Sequence, residues 1–136
     1  MIAPRILIAE DEKHIRLALS LLLRQQGYEV EMAADGGEAF RRLSHPDAPP
    51  FHLLITDLQM PELDGLELID RLTARKITIP VIVITGYGNR LVADMALSRH
   101  CAAYLDKPFQ PAEILRRVAD VLYRPTRTIR PIPLAS

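Results

Sequence analysis

Apolar runs alternate with amphipathic segments five times along the chain. Short runs that suit buried strands begin at Arg5, Tyr28, His52, Val81 and Ala102. Each run is followed by a longer segment in which apolar residues recur every three or four positions, the spacing of an amphipathic helix. The pattern therefore predicts five consecutive βα units.

Five βα units in about 120 residues predict an α/β fold with a doubly wound parallel sheet. A closed eight-stranded barrel would need about twice that length. The second run alternates with Glu29 and Glu31, as in an edge strand, whereas the continuous run from Val81 to Ile84 suits the middle of a parallel sheet. We expect the flavodoxin-like (βα)5 arrangement with strand order 2-1-3-4-5, in which chemistry lies at the carboxyl ends of the strands.

Composition narrows the classes of protein that the chain can represent. Its 136 residues are 49% hydrophobic and 25% charged, as in a soluble globular domain, and no run approaches the roughly 18 apolar residues of a membrane span. Lys plus Arg and Asp plus Glu both number 17, which disfavours a nucleic-acid-binding body. The single cysteine, Cys101, excludes an internal disulfide, and no secretory signal is visible, so we expect a cytoplasmic protein without membrane contact.

Residues that could bind a metal ion or take part in a reaction follow the predicted strands at one edge of the sheet. They are Glu10, Asp11, Asp57, Thr85 and Lys107. Carboxylates brought together resist ionisation unless a cation lies among them, and oxygen ligands of this kind suit Mg²⁺. An aspartate can also attack phosphorus, with a lysine ammonium and a hydroxyl stabilising the phosphoryl oxygens, which makes Asp57 the central candidate.

Five short motifs in a fixed order carry a family resemblance. They are Glu10-Asp11, Thr56-Asp57-Leu58-Gln59-Met60-Pro61, Asp64-Gly65, Thr85-Gly86 and Lys107-Pro108-Phe109. From about Ile6 to Leu122 the chain resembles the receiver domain of two-component response regulators, the CheY-like superfamily. The stretch from Pro80 to Gly88 is similar to receivers attached to transcription-factor output domains.

The resemblance implies roles for individual residues. Asp57 is expected to be phosphorylated, and Asp11 and Asp57 to ligate Mg²⁺ directly together with the backbone carbonyl of Gln59. Glu10 is expected to help through water, and Lys107 to pair with the acceptor or the phosphoryl group. The implied cofactor is therefore Mg²⁺ alone.

The resemblance also implies a conformational switch. Phosphorylation would draw Thr85 and Lys107 towards the new oxygens, and the ring of Tyr104 would enter the space that Thr85 leaves. Tyr104 could instead be an edge-strand aromatic without a switching role. Gln59 and Tyr87 stand where the family tunes access of water to the acyl phosphate, although either side chain could face solvent without consequence.

The apolar pattern of the first predicted helix indicates a docking surface. Its core stripe is expected to consist of Ile15, Ala18, Leu19 and Leu22. Leu17 and Leu21 then point to the opposite side, where they either bind the phosphodonor, a histidine kinase or a histidine phosphotransfer protein, or pack partly against a neighbouring segment.

Residues 1–122 are expected to form the receiver and residues 123–136 a basic, proline-rich tail or a truncated linker. The downstream partner would be an effector or an output domain, with a phosphorylation-dependent dimer as a further possibility and no direct contact of this chain with nucleic acid. We expect a signalling switch rather than an enzyme, one that catalyses only its own phosphotransfer and dephosphorylation. The alternatives are a pseudo-receiver that only binds proteins and a small acyl-phosphate hydrolase.

Overall fold

Ten elements alternate strictly along the part of the chain that the computed structural model describes, residues 3–86, 90–99 and 101–123. The strands are β1 (Arg5–Ala9), β2 (Glu29–Ala33), β3 (Leu53–Asp57), β4 (Val81–Thr85) and β5 (Ala103–Asp106). The helices are α1 (Lys13–Gln25), α2 (Gly36–Ser44), α3 (Gly65–Ala74), α4 (Arg90–Ser98) and α5 (Pro111–Tyr123). This alternation confirms the five predicted βα units.

The five strands form one parallel sheet in the order β2-β1-β3-β4-β5, as predicted. In register, Ile8 of β1 lies between Met32 of β2 and Ile55 of β3. The partly exposed strand β2 is at an edge of the sheet, and β4, which is buried along its whole length, is internal. The order reverses between β1 and β3, so these two neighbouring strands begin the crevice in which such sheets bind ligands.

Successive side chains of each strand enter two separate cores because they point to opposite faces of the sheet. In β1, Ile6 and Ile8 pack with α1 and α5, whereas Leu7 and Ala9 pack with α2, α3 and α4. Both faces are therefore covered by helices, which is why the inner strands are apolar without alternation.

The helix ends near the carboxyl edge of the sheet are set by acidic caps. The Glu12 carboxylate accepts from the backbone N–H groups of His14 and Ile15 at the start of α1. Asp64 and Glu67 form a reciprocal capping box at the start of α3. Each such cap stabilises its helix by about 1 kcal/mol and fixes where the preceding loop ends. Gly27, with φ of +92°, ends the first βα unit in the left-handed conformation expected of a glycine there.

The buried side of α1 differs from the predicted stripe. Leu19 and Leu23 are buried, whereas Ala18 is exposed and Ile15 and Leu22 are only partly buried. Because α1 lies against β1, β2 and α5, its buried side extends to Leu23, and Ile15 and Leu22 pack at the margin of the same core. The predicted exposure of Leu17 and Leu21 is confirmed, at 45% and 61%.

Helix α4 also departs from its sequence pattern. Of the apolar residues that mark this helix in the sequence, Leu91 and Met95 are exposed and Ala96 is buried. A small residue at the contact lets the helix lie close to the sheet, so its larger apolar side chains are left outside. Among the described helices, none combines the length and the apolar character needed to cross a membrane.

Candidate functional site

The carboxyl edge of the sheet brings four of the predicted site residues together. Asp57 is the last residue of β3, the β1–α1 turn contains Glu10 and Asp11, and Lys107 follows β5. Oxygen atoms of the three carboxylates lie within 4.8 Å of one another. Parallel strands end at the same edge, so residues separated by up to a hundred positions meet in one cluster.

The side chain of Lys107 joins two of these carboxylates. Its Nζ donates to Oδ2 of Asp57 at 2.9 Å and lies 2.8 Å from Oε1 of Glu10. Asp57 is only 4% exposed and Glu10 is fully buried. The backbone N–H of Lys107 donates to the carbonyl of Thr85 at 2.7 Å, which fixes the loop after β5 to the end of β4.

Burial and charge pairing shift the pKa values of this pair. Burial raises the pKa of Glu10 to about 7, although the hydrogen bond from Lys107 and the backbone N–H of Glu12 act in the opposite direction. Burial by itself would lower the pKa of Lys107, but its contacts with Glu10 and Asp57 outweigh it and raise that pKa above its ordinary value. Lys107 therefore stays cationic and is the counter-charge of the buried carboxylates.

The loop between β3 and α3 is held tightly beneath Asp57. The backbone N–H of Gln59 donates to Oδ1 of Asp57 at 3.1 Å, and the side chain of Gln59 is exposed. A Cβ on Gly65 would lie 2.3 Å from the carbonyl oxygen of Asp57, and one on Gly36 would lie 1.9 Å from that of Leu63. Both glycines are thus required by close backbone approach, which fixes the loop at its two ends.

The β1–α1 turn is fixed by side chains of its own helix. Oε2 of Glu10 accepts the backbone N–H of Glu12 at 3.0 Å. The guanidinium of Arg16 donates to the carbonyl of Glu10 at 2.8 Å and to that of Asp11 at 3.4 Å. Arg16 was not among the residues selected from the sequence.

Known proteins are similar to this chain in sequence and in fold. The family model described as the response regulator receiver domain matches residues 6–119. The chain belongs to this family. The family resemblance seen in the sequence motifs is therefore confirmed.

Two curated relatives extend beyond the receiver. The transcriptional regulatory protein PdtaR of Mycobacterium tuberculosis is 38% identical over 114 residues, which are 82% of this chain and 53% of that protein. The alkaline phosphatase synthesis transcriptional regulatory protein PhoP of Bacillus subtilis is 32% identical over 120 residues, which are 88% of this chain and 49% of that protein. The chain thus spans about half the length of the curated relatives it matches.

Solved structures of receivers have the same fold. A CheY-like response regulator receiver domain protein from Methanospirillum hungatei superposes with a TM-score of 0.84 at 28% identity, covering 93% of this chain and 98% of that one. The structure titled FixJ-N superposes with a TM-score of 0.80 at 31% identity, covering 90% and 96%.

The two predicted switch residues of this receiver lie on adjacent strands. Thr85 ends β4 and is buried, and Tyr104 is half-buried in β5, opposite Val83 of β4. The ring of Tyr104 packs on the core that faces α4. Its hydroxyl is buried and has no hydrogen bond of good geometry with the described residues. Burial and the nearby Asp106 carboxylate raise the pKa of this hydroxyl.

An apolar groove of about 450 Å³ runs from the site along α1. Its walls include Ile15, Ala18 and Leu22 of the helix and Pro108 and Phe109 of the loop after Lys107. The groove was not predicted, because the sequence pattern assigned Ala18 to the core.

Some predicted features lie elsewhere in the receiver. Leu17 and Leu21 are on the exposed surface of α1 and are not part of the carboxylate cluster. Tyr87 and residues 124–136 lie outside the described residues. Cys101 is half-buried, and burial raises the pKa of its thiol to about 11, in line with the small hydrophobic role that a lone cysteine usually has.

The arrangement suits phosphoryl chemistry. Three carboxylates, with Asp11 exposed and Asp57 at the base, form an oxygen-rich set of the kind that hard divalent cations prefer. Lys107 adds a cation beside the Oδ2 atom of Asp57. The sequence did give a reason to select Arg16. It is basic and lies four positions, about one helical turn, after Glu12, the last of the three consecutive acidic residues 10–12.

Proposed function

We propose that this receiver accepts a phosphoryl group on Asp57 from a phosphohistidine of a histidine kinase or a phosphotransfer protein, and that phosphorylation switches its partner-binding surface. The observation that carries the proposal is the Lys107 ammonium 2.9 Å from the Asp57 carboxylate at a rim with two more carboxylates. A pseudo-receiver would have no need to maintain these buried charges, whose burial is costly when they are unpaired.

The residues divide the chemistry between them. Asp11, Asp57 and the Gln59 carbonyl would hold Mg²⁺, with Glu10 acting through water, and the bound ion neutralises charge on phosphoryl oxygens. A carboxylate oxygen of Asp57 attacks phosphorus, the bond from phosphorus to the imidazole nitrogen breaks, and the donor histidine leaves with the electron pair. Lys107 then stabilises the acyl phosphate as it stabilises the free carboxylate. The chain acts on itself in this reaction and on no separate substrate.

Thr85 and Tyr104 are proposed to transmit the change. Thr85 would turn its hydroxyl towards the phosphoryl group, and Tyr104 would move inward beside it. The support is their position on adjacent strands, where Tyr104 is in register with Val83, two residues before Thr85, and the buried Tyr104 hydroxyl, which has no hydrogen-bond partner of good geometry among the described residues. The surface that changes would be the one formed by α4, β5 and α5.

We propose that the phosphodonor docks on α1. Leu17 and Leu21 are exposed one turn apart, and the apolar groove beside Lys107 borders the same helix. A donor helix laid across this surface would bury apolar area and deliver its phosphohistidine to the rim. Leu17→Glu should slow transfer from the protein donor at least tenfold and leave phosphorylation by acetyl phosphate unchanged. Equal transfer from the protein donor would overturn this docking surface.

Output is proposed to pass to a domain or effector outside the receiver. The proposed division places the receiver at residues 1–122 and a linker or tail at 123–136. Two matched relatives bear names of transcriptional regulators and are about twice as long as the matched segment. The exposed Leu91 and Met95 of α4 offer apolar area for an effector or for a phosphorylation-dependent dimer.

Intact-mass spectrometry tests the central proposal. The chain is incubated with Mg²⁺ and acetyl phosphate, with and without EDTA. We expect a gain of one phosphoryl group that needs the metal and disappears in Asp57→Asn. Asp47→Asn is the matched control, because Asp47 is exposed in the loop before β3 and should leave the adduct intact.

The other outcomes separate the alternatives. A folded protein that forms no adduct and consumes no donor would favour the pseudo-receiver and contradict the proposal. Consumption of donor without an adduct would indicate rapid hydrolysis of the acyl phosphate and favour the hydrolase.

A further inference from the structure

Arg16 is the side chain that contacts the acidic turn from the helix behind it. Its Nη1 donates to the carbonyl oxygens of both Glu10 and Asp11. We propose that Arg16 is a positioning residue of the candidate metal centre, which aims the carboxylate of Asp11 at the site. The proposal rests on the proposed function, because it assumes that the carboxylate cluster binds Mg²⁺.

The geometry of the two contacts determines what they control. The carbonyl of Glu10 belongs to the peptide group before the Cα of Asp11, and the carbonyl of Asp11 belongs to the peptide group after it. One guanidinium therefore holds both peptide planes that flank this Cα, at 2.8 and 3.4 Å. With both planes fixed, the φ and ψ angles of Asp11 are fixed, and so is the direction of its Cα–Cβ bond.

Asp11 needs this support more than the other two carboxylates do. Glu10 and Asp57 are buried and have their own partners, Lys107 for both and a backbone N–H for each. The Asp11 carboxylate is exposed and accepts no hydrogen bond from the described residues. Its orientation therefore depends on the backbone, and Arg16 is the side chain that contacts the carbonyls on both sides of the Asp11 Cα.

The charge of Arg16 has the opposite effect from its geometry. A cation near the cluster repels Mg²⁺, so removing it by electrostatics alone should strengthen metal binding. Removing the support of the turn should weaken metal binding, because partners behind a metal ligand typically contribute about 10-fold to 100-fold in affinity. The sign of the change in affinity thus separates the two effects.

The test compares Mg²⁺ affinity, by calorimetric titration, with thermal stability measured in EDTA. Arg16→Gln should weaken Mg²⁺ binding about tenfold. Arg16→Lys keeps the charge, but its side chain is one bond shorter than that of arginine and its ammonium reaches the two carbonyls less well, so its affinity should lie between those of Arg16→Gln and the unmodified chain. Arg24→Gln is the matched control: Arg24 is also on α1 and also donates to a carbonyl, that of Val30 at 2.9 Å, but far from the cluster. It should lose similar stability without losing affinity for Mg²⁺.

The outcomes are distinct. Arg16→Gln that binds Mg²⁺ as tightly as the unmodified chain, or more tightly, overturns the positioning role, as does an equal loss of affinity in Arg24→Gln. An unmodified chain that binds no Mg²⁺ overturns the proposed metal centre itself and the role of Arg16 with it.

Discussion

Asp57 lies between two regions that are held in very different ways. On one side, the β1–α1 turn is fixed by the Glu12 cap, the Glu10 carboxylate and the Arg16 guanidinium. On the other side, Tyr104 buries a hydroxyl without a hydrogen-bond partner among the described residues, and α4 leaves large apolar side chains exposed. Among the described residues, the first region is held by several short hydrogen bonds, whereas the second has fewer of them.

The difference fits the roles proposed for the two regions. Binding a small cation requires oxygen atoms held within a fraction of an ångström, and many short contacts provide that precision. A switch requires two arrangements of similar free energy, which a densely bonded region cannot offer. Lys107 connects the regions, since its side chain joins the carboxylates and its backbone is bonded to the end of β4.

The largest expected effect comes from removing a ligand in the fixed region. Asp11→Asn should weaken Mg²⁺ binding more than about 100-fold, because a charged ligand is replaced by a neutral amide, a larger change than the loss of a residue that only positions a ligand. Its thermal stability in EDTA should change little, since the side chain is exposed. Calorimetric titration and a melting curve measure the two quantities. Metal binding equal to that of the unmodified chain would contradict the assignment of Asp11 as a ligand.

A smaller effect is expected from disturbing the loop between β3 and α3, which follows Asp57. Gly36→Ala would place a Cβ 1.9 Å from the carbonyl oxygen of Leu63, so the loop that follows Asp57 must shift. We expect a loss of about 1–3 kcal/mol in the free energy of unfolding, measured by urea denaturation. Gly37→Ala is the control, because its nearest neighbour is a side-chain oxygen of Asp35 at 3.3 Å. Equal stability of the two variants would show that the loop is less constrained than its contacts indicate.

The smallest effect on stability is expected from a substitution at Tyr104. Tyr104→Phe removes a buried hydroxyl that has no partner among the described residues, so the free energy of unfolding should stay equal or rise by up to about 1 kcal/mol. Phosphorylation by acetyl phosphate should be unaffected. Tyr104→Ala should keep phosphorylation too but lose the phosphorylation-dependent interaction with the partner. Normal signalling by Tyr104→Ala would contradict the proposed switch, and destabilisation by Tyr104→Phe would reveal a contact of the hydroxyl.

Much of the fold could be read from the chain because the relevant signals are local. The apolar run from Val81 to Ile84 indicated an internal strand, the alternation around Val30 indicated an edge strand, and both are confirmed. The carboxylates were predicted to meet because every parallel strand ends at the same edge. The buried side of α1 was predicted in part: Leu19 is buried and Ile15 and Leu22 pack against the core, but Ala18 is exposed. Helical periodicity gives a stripe but not the angle at which neighbouring elements cover it.

The sequence by itself determined the alternation of strands and helices, the strand order and the identity of the residues at the carboxyl edge. Only the tertiary structure decided that Lys107 pairs with Glu10 as well as Asp57, that Arg16 holds the turn before its own helix, and that α4 rests on Ala96. The physical reason is that these contacts join residues of different elements, whose relative placement is not encoded in the local pattern of any one element. Periodicity reports which side of one element is apolar, whereas ion pairs and close backbone contacts depend on how separate elements are placed against one another.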